Sequence, residues 1–192
     1  MNFHARRHYA LSRFFLFIRK EEAAIRALRE TLKAEPGMVI AHEALAFLHA
    51  SRGHTGLAIE SFGHALRLAP DHADTWFNLG FVHQGADEHE KALVAFGNAV
   101  ALKPSIDRAW YGMGLALRSL GRLPEAAEAL EKAGKLQPMN PHAWYELGMT
   151  YYALKRYDKV RETIDYLGGF DPKATKELIR DTPDRADPPN GS

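Results

Sequence analysis

Apolar side chains recur along the chain at intervals of three and four residues, which places them on one face of an α-helix. The pattern is clearest between residues 73 and 106, where two such sets follow one another. The conspicuous positions are Trp76, Leu79, Gly80 and His83 in the first set and Ala92, Phe96 and Ala99 in the second. Each set extends over about 12–14 residues, a common length for a helix in a globular protein. The sequence therefore predicts pairs of amphipathic helices.

The helix-pair pattern repeats at a constant interval, and a proline closes each repeat, at Pro36, Pro70, Pro104, Pro138 and Pro172. The interval, about 34 residues, is typical of helix–turn–helix repeats, and proline cannot continue the second helix. The predicted repeats are residues 5–38, 39–72, 73–106, 107–140 and 141–174. Residues 1–4 are expected to form an extension, and residues 175–192 a short capping helix and a disordered tail. We expect this helix over 173–181, with Leu178 and Ile179 on the last repeat, and disorder from Thr182 onward.

Glycines inside the predicted first helices need an explanation, because glycine in a helix costs about 1 kcal/mol relative to alanine. They are Gly80, Gly114 and Gly148. We expect each to permit close approach of the second helix of its repeat.

Asp71 and Ser105 directly follow prolines, and we expect them to cap the helices that come next.

The combination Trp-x-x-Leu-Gly, then Ala-x-x-x-Phe, then Pro resembles the tetratricopeptide repeat. The resemblance extends over residues 5–174, with His8 and His42 in place of the tryptophan in the first two repeats. It implies an all-α fold, a right-handed α-solenoid of five helix-turn-helix repeats with a short C-terminal capping helix. It also implies that the first helices line a concave groove that binds a peptide or helix of a partner protein.

Groove positions are those on the first helices that the core pattern leaves unused, and in this chain many of them are aromatic. The expected partner-binding residues are Phe47, Phe77, Asn78, Phe81, Arg108, Tyr111, Arg118, Tyr145, Met149 and Tyr152. A contiguous exposed apolar patch usually marks an interaction site, and aromatic residues, Met and Arg are enriched in such sites. The alternative is that the rings complete the packing between neighbouring repeats.

One variant of the family, the carboxylate clamp that holds chaperone tails, is disfavoured. Asn78 and Arg108 stand in matching positions. Glu43 and Phe47, however, replace a lysine and an asparagine, and Gly112 replaces an arginine. Glu43 would repel the carboxylate of a ligand.

Composition excludes several other classes of protein. The formal net charge is +1, which provides no general attraction for nucleic acid, and the chain has no cysteine for disulfides or thiolate chemistry. His49 and His83 occupy equivalent positions, but no carboxylate stands at a metal-ligand spacing, so we expect no metal and no cofactor. No constellation of catalytic residues can be assembled, so we expect no enzyme. No apolar run approaches the length of a membrane span or a signal peptide, and a cytoplasmic location is expected.

The N-terminal segment 1–20 differs in charge from the remainder, since it carries five basic residues and no acidic one. Phe14, Phe15, Phe17 and Ile18 lie between these charges. The favoured interpretation is an ordinary first helix with a solvated basic edge. Contact with an anionic membrane surface, docking of an acidic partner and self-association remain as alternatives.

The function expected from the sequence is that of a non-catalytic adaptor or assembly chaperone that holds a peptide or helix of a client on the aromatic groove. The alternative is a homo-oligomeric scaffold that assembles through its N-terminal repeat.

Overall fold

The computed structural model describes residues 3–183, and all regular secondary structure in this range is helical. The helices are α1 (Phe3–Phe17), α2 (Glu21–Ala34), α3 (Val39–Ser51), α4 (Thr55–Leu68), α5 (Ala73–Gly85), α6 (His89–Leu102), α7 (Asp107–Ser119), α8 (Leu123–Leu136), α9 (Pro141–Ala153), α10 (Tyr157–Gly168) and α11 (Pro172–Asp181). They form five pairs followed by α11, and the first helices from α3 to α9 begin at a constant interval. The predicted fold class, an all-α solenoid of helix-turn-helix repeats, is confirmed.

The described residues divide into two compact units. The first lies within Met1–Glu88 and contains α1 to α5, and the second lies within His89–Ser192 and contains α6 to α11. The core of the first unit includes Leu28 and Leu45, and that of the second unit includes Leu130 and Leu147. Each core is built from the apolar stripes that the spacing of three and four residues predicts.

A hydrogen bond ties the turn between repeats to the helix that follows it. In three repeats the indole Nε1 of a tryptophan donates to the carbonyl oxygen of the preceding proline, at 2.8–2.9 Å: Trp76 to Pro70, Trp110 to Pro104 and Trp144 to Pro138. The same contact occurs where histidine replaces tryptophan, since His42 Nε2 lies 2.9 Å from the carbonyl oxygen of Pro36. Because a carbonyl oxygen only accepts, Nε2 of His42 carries the hydrogen. Histidine thus keeps the polar contact of the tryptophan it replaces.

The local expectations about caps and prolines need correction. Asp71 and Ser105 do not cap the next helices, because the N-cap residues are His72 and Ile106, one residue later, and neither makes a side-chain cap bond. Pro172 does not directly close a second helix. It is the first residue of α11, where the missing N–H is tolerated. The carboxylate of Asp171 accepts from the backbone N–H groups that follow it.

The expected approach of the second helix is confirmed at Gly114, whereas Gly148 approaches a different helix. A Cβ on Gly114 would lie 2.6 Å from Cγ of Leu130 on α8, the second helix of its repeat, as expected. A Cβ on Gly148 would instead lie 2.6 Å from Cδ2 of Leu178 on α11. The space at Gly148 therefore accommodates the C-terminal helix.

The C-terminal helix buries one of its two predicted contact residues. Leu178 is fully buried, whereas Ile179 is 38% exposed, because α11 presents to α9 the face that carries Leu178. The expectation of disorder is wrong at Thr182, whose buried hydroxyl donates to the carbonyl oxygen of Leu178 at 2.6 Å. The remainder of the predicted disordered tail, residues 184–192, lies outside the described residues.

Candidate partner-binding surface

Two of the predicted groove residues stand exposed over a cleft in the first unit. Phe47 on α3 and Phe81 on α5 occupy equivalent positions in adjacent repeats, and each is 65% exposed. They line a cleft of about 460 Å³ together with Asn78, Val82 and residues that include the buried Phe62. On each helix the residues directly before and after the phenylalanine face the core, so the phenylalanine ring points to solvent. The result is an apolar cleft with an amide beside it. The half-buried Phe77 lies one residue before this amide on α5.

Glu43 occupies a groove position of α3, but its carboxylate is engaged within the first unit. It accepts a hydrogen bond from Oγ1 of Thr75 and lies 3.1 Å from Nδ1 of His72. These contacts join α3 to the beginning of α5. The acidic side chain that argued against a carboxylate clamp therefore has a structural role.

In the second unit, Tyr111 and Tyr152 pack against the hydrophobic cluster that contains Leu130 and Leu147. Burial raises the pKa of Tyr111. At these two positions the rings pack within the protein. Such packing was the alternative to a role in partner binding.

Arg118 forms an ion pair with Glu146, which lies on the next first helix. Each side chain is only about one quarter exposed. Burial lowers the pKa of Arg118, and the nearby Tyr145 and Tyr111 oppose this shift. A ligand carboxylate would have to displace Glu146 to reach this guanidinium. Arg108, near the beginning of α7, is exposed.

Helix α11 covers the last part of the predicted groove. Tyr145 and Met149 pack against the cluster formed with Leu178, and the hydroxyl of Tyr145 donates to Oδ2 of Asp181 at 2.7 Å. The hydrogen bond from Arg180, followed by that from Tyr145, lowers the pKa of Asp181 to about 2. Partner binding through any of the predicted groove residues remains a prediction, and Phe47 and Phe81 are the most accessible aromatic residues among them.

Sequence reasoning missed a cleft in the second unit, with a volume of about 620 Å³. Leu93 and Gly97 of α6 line it together with Trp110 and Met113 of α7, and charged side chains of α8 form part of its wall. Gly97 leaves space there, since an added Cβ would meet no atom within 4 Å. Three helices contribute to this cleft, so no single periodic pattern indicates it.

His83 and Tyr151 occupy equivalent positions near the ends of their first helices, and each contacts the turn that follows. Nδ1 of His83 donates to Oε2 of Glu88 at 2.6 Å, and the guanidinium of Arg156 lies 5.4 Å from the ring centre of Tyr151. His49 lacks such a bond, and its buried Nδ1 has no hydrogen-bond partner. No group of three His, Cys, Asp or Glu residues within 3–183 is arranged to hold a metal ion.

Acid is expected to destabilise the first unit through His49. Burial, followed by the charges of Arg29, His54 and Arg52, lowers the pKa of its imidazole below the ordinary 6.5, whereas Glu22 acts in the opposite direction. The unfolded chain therefore binds a proton more readily, and stability is lost as the pH falls below about 6.5. Thermal unfolding between pH 8 and pH 5 measures this effect.

His49→Leu is the matched variant, because Leu117 fills the equivalent position of the fourth repeat. It should flatten the dependence of the unfolding temperature on pH. An equally steep dependence in the variant would show that other groups are responsible.

None of the helices in the described range is both long enough and apolar enough to span a bilayer.

Comparison with known proteins agrees with the helix-pair architecture. The family model described as TPR repeat matches residues 114–155. A crystallised MamA protein is 26% identical, with 94% of each chain covered and a TM-score of 0.79. MamA from Desulfovibrio magneticus RS-1 is 25% identical over 94% of this chain and 97% of that chain, with a TM-score of 0.79. YrrB, described as a TPR protein with an unusual peptide-binding site, is 20% identical over 90% of each chain, with a TM-score of 0.80. No curated protein matches the sequence.

The fold is that of helical-repeat proteins that serve as protein-interaction scaffolds. Residues 114–155 match the TPR repeat, and the helix pairs resemble those of solved TPR proteins, in agreement with the motif. Proteins built from these repeats are in general non-catalytic interaction modules.

Proposed function

We propose that the protein is a non-catalytic adaptor or assembly chaperone that holds a peptide or helix of a client protein on its first helices. The observation that carries the proposal is the exposure of Phe47 and Phe81 over one cleft. Large apolar rings exposed side by side favour association, since aromatic anchors contribute most of the binding energy in many interfaces. The proposal includes a cytoplasmic location.

The cleft supports a client segment with an apolar anchor side chain. Phe47 and Phe81 supply the exposed apolar surface of the cleft, which the buried Val82 and Phe62 also line. The half-buried amide of Asn78 can donate to and accept from a polar group of the segment. Arg118 is less suited to an acidic segment, because Glu146 already neutralises it. The proposed contact therefore depends on apolar burial more than on charge.

Simultaneous replacement of Phe47 and Phe81 with serine is expected to weaken client binding at least 30-fold, because two anchor rings are lost. Crosslinking mass spectrometry in the native cell identifies the client, and calorimetry with its purified segment measures the affinity. Both rings are exposed, so the variant should retain its fold, which circular dichroism verifies.

Phe14→Ser with Phe17→Ser is the matched control, since it removes two other exposed rings from the same unit. Unchanged affinity in the Phe47/Phe81 variant would contradict the proposal. Tyr111→Ala is a poor probe, because this ring packs against the core and its loss would also affect stability.

The second candidate function, a self-associating scaffold, is favoured by the exposed aromatic side chains of α1. Light scattering of the wild type and of the Phe14/Phe17 variant tests it. A monomer in both cases would exclude this function.

A further inference from the structure

Helix α1 exposes an apolar face on the side that turns away from its partner helix. Phe3, Phe14 and Phe17 are 76%, 55% and 86% exposed, respectively. Their positions along the helix are separated by close to whole numbers of turns, so the three rings share one face. Ala5 and Ser12 lie on the opposite face and are buried. The sequence showed the apolar residues of this helix but could not show which of them stay outside the core.

Basic side chains border this exposed face. Arg6 and Arg13 lie about two helical turns apart on one flank, and Leu11 and Ile18 lie on the other flank. The segment 1–20 contains no acidic residue, and its basic residues are Arg6, Arg7, Arg13, Arg19 and Lys20. The occupant that complements this face therefore combines an apolar layer with negative charge.

A second copy of the chain does not offer that combination on its most obvious surfaces. Two α1 helices face to face would bring like charges together. Helix α11 exposes Lys173 and Lys176, and Lys173 lies 4.0 Å from the carboxylate of Glu177. This helix therefore offers mixed charges, whereas α1 requires a continuous negative surface.

We propose that α1 attaches the protein to the surface of a membrane that contains anionic lipids. The three rings enter the boundary between headgroups and acyl chains, and the arginines contact lipid phosphates. An amphipathic helix with aromatic residues on one face and cations beside them binds membranes in this way. The membrane then supplies both the apolar layer and the negative charge that this face of α1 requires. Client binding through Phe47 and Phe81 uses different residues.

Cosedimentation of the full chain with vesicles tests the proposal. We expect binding to phosphatidylcholine vesicles that contain about 30% phosphatidylserine, little binding to pure phosphatidylcholine, and loss of binding in about 0.5 M salt. Arg6→Gln with Arg13→Gln should weaken binding about 30-fold, since each cation near the surface contributes about a factor of five. Phe14→Ser with Phe17→Ser should weaken it at least tenfold.

Two matched controls make the result specific to α1. Phe47→Ser with Phe81→Ser removes two exposed rings elsewhere, and Lys173→Gln with Lys176→Gln removes the same charge from α11. Both variants should bind anionic vesicles as the wild type does, and circular dichroism compares the folding of all four variants.

The proposal is overturned if the wild type does not bind anionic vesicles, or if the control variants lose as much affinity as the α1 variants. It is also overturned if the wild type is an oligomer that Phe14→Ser with Phe17→Ser converts to a monomer while vesicles bind neither protein. In that case α1 contacts a second copy of the chain.

Discussion

Replacement of Phe96 with alanine is expected to lower the free energy of unfolding of the second unit by about 3–5 kcal/mol. Phe96 is fully buried on α6, and its ring lies where a Cβ on Gly112 of α7 would come within 2.5 Å of it. The ring thus fills the space that the glycine leaves, and its loss creates a cavity between two helices. Urea unfolding followed by circular dichroism measures the change.

Gly112 supplies an independent test of this contact. Gly112→Ala alone should cost about 1–3 kcal/mol, because the added methyl group meets the Phe96 ring. In the Phe96→Ala background the same substitution should cost less, so the double variant should be more stable than the sum of the single changes predicts. Gly97→Ala, next to Phe96 on α6, is the control. Its Cβ meets nothing within 4 Å, and it should stabilise the helix by up to about 1 kcal/mol. Strict additivity would contradict the proposed packing.

Leu178→Ala is expected to cost about 2–5 kcal/mol and to loosen α11. Leu178 is fully buried against Gly148, and α11 has no helix after it within the described residues. Because stability in repeat arrays depends on contacts between neighbours, we expect local opening of α11 before the repeats unfold. Amide hydrogen exchange should show faster exchange in α11 and at the surface of α9 that it covers.

The adjacent Ile179 provides the control for this prediction, since it is 38% exposed on the same helix. Ile179→Ala should cost less than about 1 kcal/mol. Equal effects of the two substitutions would indicate that α11 is not held through Leu178.

The helix pairs were predictable because their period is imposed by packing. Neighbouring repeats pack through equivalent positions, so similar residues, such as Trp76, Trp110 and Trp144, recur at a fixed interval. The capping residues were not predictable to the same precision. Asp71 and Ser105 are good capping residue types, yet the N-caps are His72 and Ile106, one residue beyond the expected positions.

The candidate partner-binding surface could be predicted only in part from the sequence. Phe81 and Tyr111 are both aromatic residues at groove positions, but Phe81 is exposed and Tyr111 packs against the core cluster. The difference arises from neighbouring helices, which a single repeat does not describe. The pairs Glu43–His72 and Arg118–Glu146 join residues about one repeat apart, so no pattern within one helix indicates them.

The seating of α11 on α9 has a consequence for how the chain can change in length during evolution. Leu178 fills the space beside Gly148, and the hydrogen bond between Tyr145 and Asp181 closes the same surface. A further helix pair could not dock on this face of α9 without displacing α11. We therefore expect α9, α10 and α11 to be gained or lost together.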